Sequence, residues 1–129
     1  MWIGQIEWVA VNERGSLEWD TYAYSFAHRL VTIRKQRGYS QEELAHRSGM
    51  HRNAVSNLER ATSNRPPNIS DPQLSTVYRL ARALDVPPVY LLPDVTAPLP
   101  ARSREQEDRK ALSAVEADLH RLISADAES

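Results

Sequence analysis

The sequence predicts an all-α fold: a run of short amphipathic helices, with a β-like extension in front and a helical tail behind. Three observations carry this expectation. Apolar residues recur at helical spacing, as in Tyr22, Phe26, Leu30 and Ile33, and again in Leu74, Val77, Leu80, Ala81 and Leu84. Gly38 and Gly49 stand where helices would end on a residue at ease in the left-handed conformation. Ser40-Gln41-Glu42-Glu43 is a capping-box pattern, serine followed three residues later by glutamate.

Taken in order, residues 1–19 form the extension. Trp2, Ile6 and Trp8 share one parity and Ile3, Val9 and Val11 the other, which suits a strand. Asn12-Glu13-Arg14-Gly15 reads as a turn and Ser16-Leu17-Glu18-Trp19 as a return strand. A lone hairpin is marginal in water, so it would need a surface to pack on. A long first helix is expected next, capped by Asp20 or Thr21 and running to about Arg37. The second starts after Ser40 and stops near Ser48. The third runs from about His51 to Arg60. A polar, proline-containing loop, 61–70, precedes a fourth helix over about Pro72 to Leu84, capped within Ser70-Asp71-Pro72. Pro87-Pro88 opens a short fifth helix through Leu91, with Val86, Leu91 and Leu92 closing the core. These helices make one unit, 20–93. Residues 94–102 read as a linker and 103–129 as a charged helical tail. In that tail Leu112, Val115, Leu119 and Leu122 make a short heptad seam, fit to pack on its own domain or on a second chain.

Composition narrows the function. The 129 residues include no cysteine, which removes disulfides, thiolate nucleophiles and Cys-ligated metals. No apolar run approaches the roughly 20 residues of a membrane span. The N-terminus lacks a basic signal-type region, so a cytoplasmic protein without membrane contact is expected. There is no glycine-rich phosphate loop, no His-Glu-x-x-His and no serine elbow, so neither an enzyme nor a cofactor is expected. His46 and His51 are five apart without a third ligand, and no metal site is expected there. Net charge is -1, yet residues 28–70 carry eight Arg or Lys against Glu42, Glu43 and Glu59. A local basic patch governs phosphate binding more than the total charge does.

The segment Gln41 to Arg60 concentrates the functional signal. Two short helices crossing steeply need a small residue at the crossing, a turn residue tolerant of positive φ, and apolar locks between them. Ala45, Gly49, and Leu44 with Val55 and Leu58 meet all three needs at once.

Here the sequence resembles the Cro/CI-type (XRE) helix-turn-helix family. The likeness lies in Arg34 to Ala45, in Val55-Ser56-Asn57-Leu58-Glu59-Arg60 and in Leu74 to Leu84, within about Phe26 to Pro93. It implies a five-helix, lambda-repressor-like domain binding double-stranded operator DNA as a homodimer. By that resemblance, His51, Arg52, Asn53, Ser56 and Asn57 read bases in the major groove. Arginine suits guanine and asparagine suits adenine, both bidentate. Gln41 would meet a phosphate at the first turn of the second helix, where free N–H groups add to it. Lys35, Arg60 and Arg65 are further phosphate candidates. Arg34 and Glu59 occupy the positions of a structural ion pair. Ala61 stands where the family usually has glycine, and the loop after it is longer than usual.

Three functions remain open on the sequence: a transcriptional regulator, most simply a repressor; the antitoxin of a toxin–antitoxin pair; or a protein-interaction adaptor using the same fold. The dimer could form through Val89 to Leu92, the N-terminal extension or the terminal helix, and a protein partner could bind through the termini.

Overall fold

The computed structural model describes residues 17–107 and 109–128. In order these form α1 (Trp19–Arg37), α2 (Gln41–Ser48), α3 (Arg52–Glu59), α4 (Leu74–Leu84), a 3-10 turn (Pro88–Leu91), α5 (Arg104–Glu107) and α6 (Arg109–Glu128). Among the described residues there is no strand, only an isolated antiparallel bridge between Thr62 and Ile69. The expected hairpin falls largely on residues 1–16, outside the described residues. Its last residue, Trp19, already belongs to α1.

The helix ends follow local chemistry. Ser40 Oγ accepts the Glu43 N–H at 3.0 Å, one half of the capping box. The other half does not form, because the Glu43 carboxylate pairs with Arg47 one turn on, at 2.8 Å. Gly38 and Gly49 close α1 and α2 at φ 76° and 70°. Asp85 closes α4 at φ 57°, a conformation short polar side chains tolerate better than most. Two starts differ from expectation. Glu18, not Asp20 or Thr21, precedes α1, and Thr21 Oγ1 donates back to its carbonyl at 2.8 Å. Helix α4 begins at Leu74 rather than Pro72, so Leu74 sits on the first turn and is 68% exposed instead of buried.

The core is continuous. Phe26, Leu30 and Ile33 of α1 meet Leu44 and Ala45 of α2, Val55 and Leu58 of α3, and Val77, Leu80 and Leu84 of α4. Leu91 of the 3-10 turn closes it, and Leu119 and Ile123 of α6 are buried in it too. The tail therefore packs on its own domain. The inward stripe is Val115, Leu119 and Ile123, four residues apart, the first partly buried and the other two buried, while Leu122 is left 41% exposed. A straight helix on a globular surface follows the 3.6 period, which displaces the heptad seam by one residue here.

The segment leading into the tail is strapped to the start of α1. Glu18 N–H donates to Ala101 O at 2.7 Å and Tyr22 OH to Pro100 O at 2.6 Å. The Ser25 and Ser103 hydroxyls lie 2.5 Å apart, both buried. Arg29 pairs with buried Glu105 at 2.6 Å and donates to Tyr90 O at 3.2 Å.

Two outcomes follow. Leu119→Ala should cost about 2–4 kcal/mol in urea denaturation, since it empties a well-packed site. Burial, aided by the carboxylates of Asp94, Glu105 and Glu107, pushes the Tyr22 phenol above its ordinary 10.0. The folded chain thus holds that proton to higher pH than the unfolded chain. Its stabilising share is complete below pH 10.0 and fades as pH rises through the raised folded value. In a pH series of denaturation midpoints, Tyr22→Phe should lose less stability above pH 10.0 than the parent does.

Candidate nucleic-acid interface

Helix α3 owes its placement to both of its ends and one side. Along its inner side Val55 and Leu58 are buried against α2, where Ala45 is small enough to let the helices approach. Entry is by Gly49, with Met50 N–H donating to Ala45 O at 2.9 Å. At its end Glu59, whose side chain is 4% exposed, receives Arg34 of α1 in two parallel bonds, Nε to Oε2 at 2.5 Å and Nη2 to Oε1 at 3.0 Å. Arg34 also donates to Tyr39 O at 2.8 Å, and Gln41 Nε2 reaches Glu59 Oε1 at 2.9 Å. One carboxylate therefore ties α1, the start of α2 and the end of α3. Paired this fully, it is compatible with burial.

The outer side of α3 is polar. His51, Arg52 and Asn53 are exposed, and Ser56 and Asn57 are half-buried behind them. These five sequence-derived candidates are thus brought together on one helix and its entry. Asn57 Oδ1 accepts from Arg60 Nη2 at 2.9 Å, so Arg60 folds back on the end of α3.

The phosphate candidates divide. Gln41 lies in the first turn of α2 and spends one amide hydrogen on Glu59, leaving a second for an outside acceptor. Arg65 is exposed in the 61–70 loop, closed by Ser63 N–H to Asn68 O at 3.2 Å and Asn68 N–H to Arg65 O at 2.7 Å. Lys35 lies elsewhere, in a groove between α1 and α6 with His28, Gln36, Glu116 and His120. Asn64 and Asn68, exposed beside Arg65, were not singled out from the sequence. Their only signal there is polarity in a loop. Among the described residues, no group of His, Asp or Glu side chains could hold a metal ion.

The loop is itself anchored. Ala61 is fully buried at φ 57° and packs on Ala23 and Ala27 of α1. Its methyl group fills space that glycine would leave empty, which offsets the cost of the left-handed backbone. Trp19 Nε1 donates to Ser70 O at 2.9 Å, an anchor the sequence did not disclose. Arg47 lies over the Tyr39 ring, 4.4 Å from its centroid, which holds it beside the start of α2.

A family model described as helix-turn-helix matches residues 30–91. Residues 30–91 are thus a helix-turn-helix of the Cro/CI (XRE) type, the type found in DNA-binding regulators. It is 39% identical over 72 residues to antitoxin HigA1 of Mycobacterium tuberculosis, in strains CDC 1551 / Oshkosh and ATCC 25618 / H37Rv. That match covers 56% of this chain and 44% of the antitoxin, so the chain spans under half the length of these relatives. Among solved structures it is similar to the restriction-modification controller protein C.AhdI from Aeromonas hydrophila. There the identity is 34%, with 54% of this chain and 96% of that one covered and a TM-score of 0.47. It is also similar to the hypothetical transcription factor NHTF from Neisseria. In that case the identity is 35%, the coverage 60% and 79%, and the TM-score 0.48. No helix among the described residues is long and apolar enough to cross a membrane.

Breaking the central ion pair should be costly. Arg34→Ala leaves Glu59 buried with only Gln41 as partner, and should lose about 3–5 kcal/mol in chemical denaturation. The double variant Arg34→Met with Glu59→Leu should recover most of that loss. A double variant no more stable than Arg34→Ala would show that the pair itself is not the source.

Proposed function

We propose that the chain is a sequence-specific regulator that binds a two-fold operator as a homodimer and represses by occupying it. The observation that carries this is the outer side of α3. Its entry presents His51, Arg52 and Asn53 to solvent while Val55 and Leu58 hold the opposite side in the core. A short helix presented in this way can enter a major groove with its N-terminal residues against base edges. In this reading Arg52 and Asn53 make the bidentate base contacts, and His51, Ser56 and Asn57 complete the readout.

Gln41, with its spare amide hydrogen and the N–H groups of the first turn of α2, takes a phosphate. Arg65 takes another from the loop, and Arg60 a third once released from Asn57. Lys35 lies off this face and contributes through the general positive field. Phosphate contacts set position and base contacts set sequence, so the two classes fail differently when removed.

Selection from a random duplex pool, followed by anisotropy on the winner across a salt series, tests the reading. One palindromic motif should emerge and bind at least ~10³-fold more tightly than random duplex. Arg52→Ala and Asn53→Ala should each cost about 1–3 kcal/mol on that motif and relax the preference at one position. Arg65→Ala should weaken all sequences alike and lower the salt slope by about 1. A pool that enriches nothing would end the operator reading.

A second reading is favoured by the likeness to antitoxin HigA1. In it the same helix-turn-helix represses its own operon and another part of the chain neutralises a toxin. Co-expression with the product of an adjacent small gene should then rescue growth, and Arg52→Ala should leave that rescue intact.

A further inference from the structure

We infer that the groove between the C-terminal halves of α2 and α4 docks an acidic segment of another protein. The operator reading leaves this surface unused.

The groove measures about 870 Å³ and is lined by Glu43, His46, Arg47, Gly49, Arg79 and Arg82. Three arginines face one acid there, and that acid, Glu43, is already paired with Arg47 at 2.8 Å. Arg79 and Arg82 are exposed, and their side chains have no hydrogen bond or ion pair among the described residues. Other arginines serve the fold. Arg29 is held by Glu105, Arg34 by Glu59, and Arg37 by the Leu84 and Asp85 carbonyls.

The negative end of α2 does little to oppose this charge, because its last carbonyls are answered within the chain. Gly49 N–H donates to His46 O at 3.3 Å, Met50 N–H to Ala45 O at 2.9 Å and Ser48 Oγ to Leu44 O at 2.7 Å. The groove is therefore positive and open. A guanidinium takes a carboxylate in two parallel bonds, so Arg79 and Arg82 suit a row of Asp or Glu side chains.

Two features favour a protein segment over a nucleic-acid backbone. First, the phosphate candidates Gln41 and Arg65 stand at the start of α2 and ahead of α4, whereas the groove lies toward the other ends of those helices. At 1.5 Å per residue, Arg47 is ~9 Å along α2 from Gln41, and Arg82 ~12 Å along α4 from Leu74. His51, Arg52 and Asn53 form no part of its walls, so an occupant leaves them open. Second, Tyr78 lies one turn before Arg82 on α4 and is 56% exposed. Tyrosine and arginine together are the residue types that anchor protein interfaces.

Anisotropy of a short fluorescein-labelled poly-glutamate peptide on the full chain tests the assignment. At physiological salt the peptide should bind, and it should weaken as salt rises. It should stay bound when random duplex saturates the chain. A glycine–serine peptide of the same length should not bind. Arg79→Glu with Arg82→Glu should weaken poly-glutamate at least ~10-fold and gain affinity for poly-lysine, a reversal that a merely structural role would not produce. Both positions are exposed, so the far-UV spectrum should be unchanged. Arg52→Ala with Arg65→Ala should leave peptide affinity within about two-fold.

A peptide that fails to bind, or that random duplex displaces, overturns the proposal. So does a double glutamate variant that loses duplex as strongly as peptide, since the groove would then be a phosphate track. If no duplex motif is selected but the peptide results hold, the operator reading fails and this surface stands.

Discussion

The buried carboxylate of Glu59 is the constraint on which the rest of the arrangement depends. It sits at the end of α3, yet its partners come from α1 and from the first turn of α2. An ion held out of water is tolerated only when nearly every lone pair finds a donor. Arg34 and Gln41 meet that condition from two directions, so the helices must approach at the angle that lets them. The C-terminal end of α3 is fixed in this way, while its N-terminal end projects with polar side chains uncommitted to the core. A rigid rear and an open front suit the reading role proposed for α3, since groups fixed before contact lose less freedom on binding.

The tail repeats the same device farther along α1. Arg29 and Glu105 form a second shielded pair, and the Ser25, Thr21 and Ser103 groups bond around it. Helix α1 thus has two jobs along its length. Its C-terminal half carries Arg34 and organises the helix-turn-helix. Its N-terminal half receives the returning chain and, through Trp19, holds the end of the 61–70 loop.

Much of this was legible from local chemistry. The serine cap at Ser40, the glycine stops at Gly38 and Gly49, and the lock of Leu44, Val55 and Leu58 depend on neighbours within one or two turns. That His51, Arg52, Asn53, Ser56 and Asn57 share one helix and its entry was legible for the same reason. What was not legible depends on distant partners. Leu74 has helical spacing with Val77 and Leu80, but the late start of α4 leaves it exposed. The tail's stripe shifts from Leu122 to Ile123 because the surface beneath α6 selects it. Lys35 looked like a phosphate ligand by proximity in sequence. It follows Arg34 directly on α1, about 100° farther round the helix, and so lines the groove beside α6.

The strap between residues 100–105 and the start of α1 has a consequence for how the chain acquires its shape. Thr21, Tyr22 and Ser25 are made early, but the groups that satisfy them lie 78 to 82 residues later. Contacts of such sequence separation close slowly, because a long loop must be ordered first. The central helices can condense around Leu30 and Leu44 while the first turns of α1 still await their partners. The segment synthesised first among the described helices is therefore finished last.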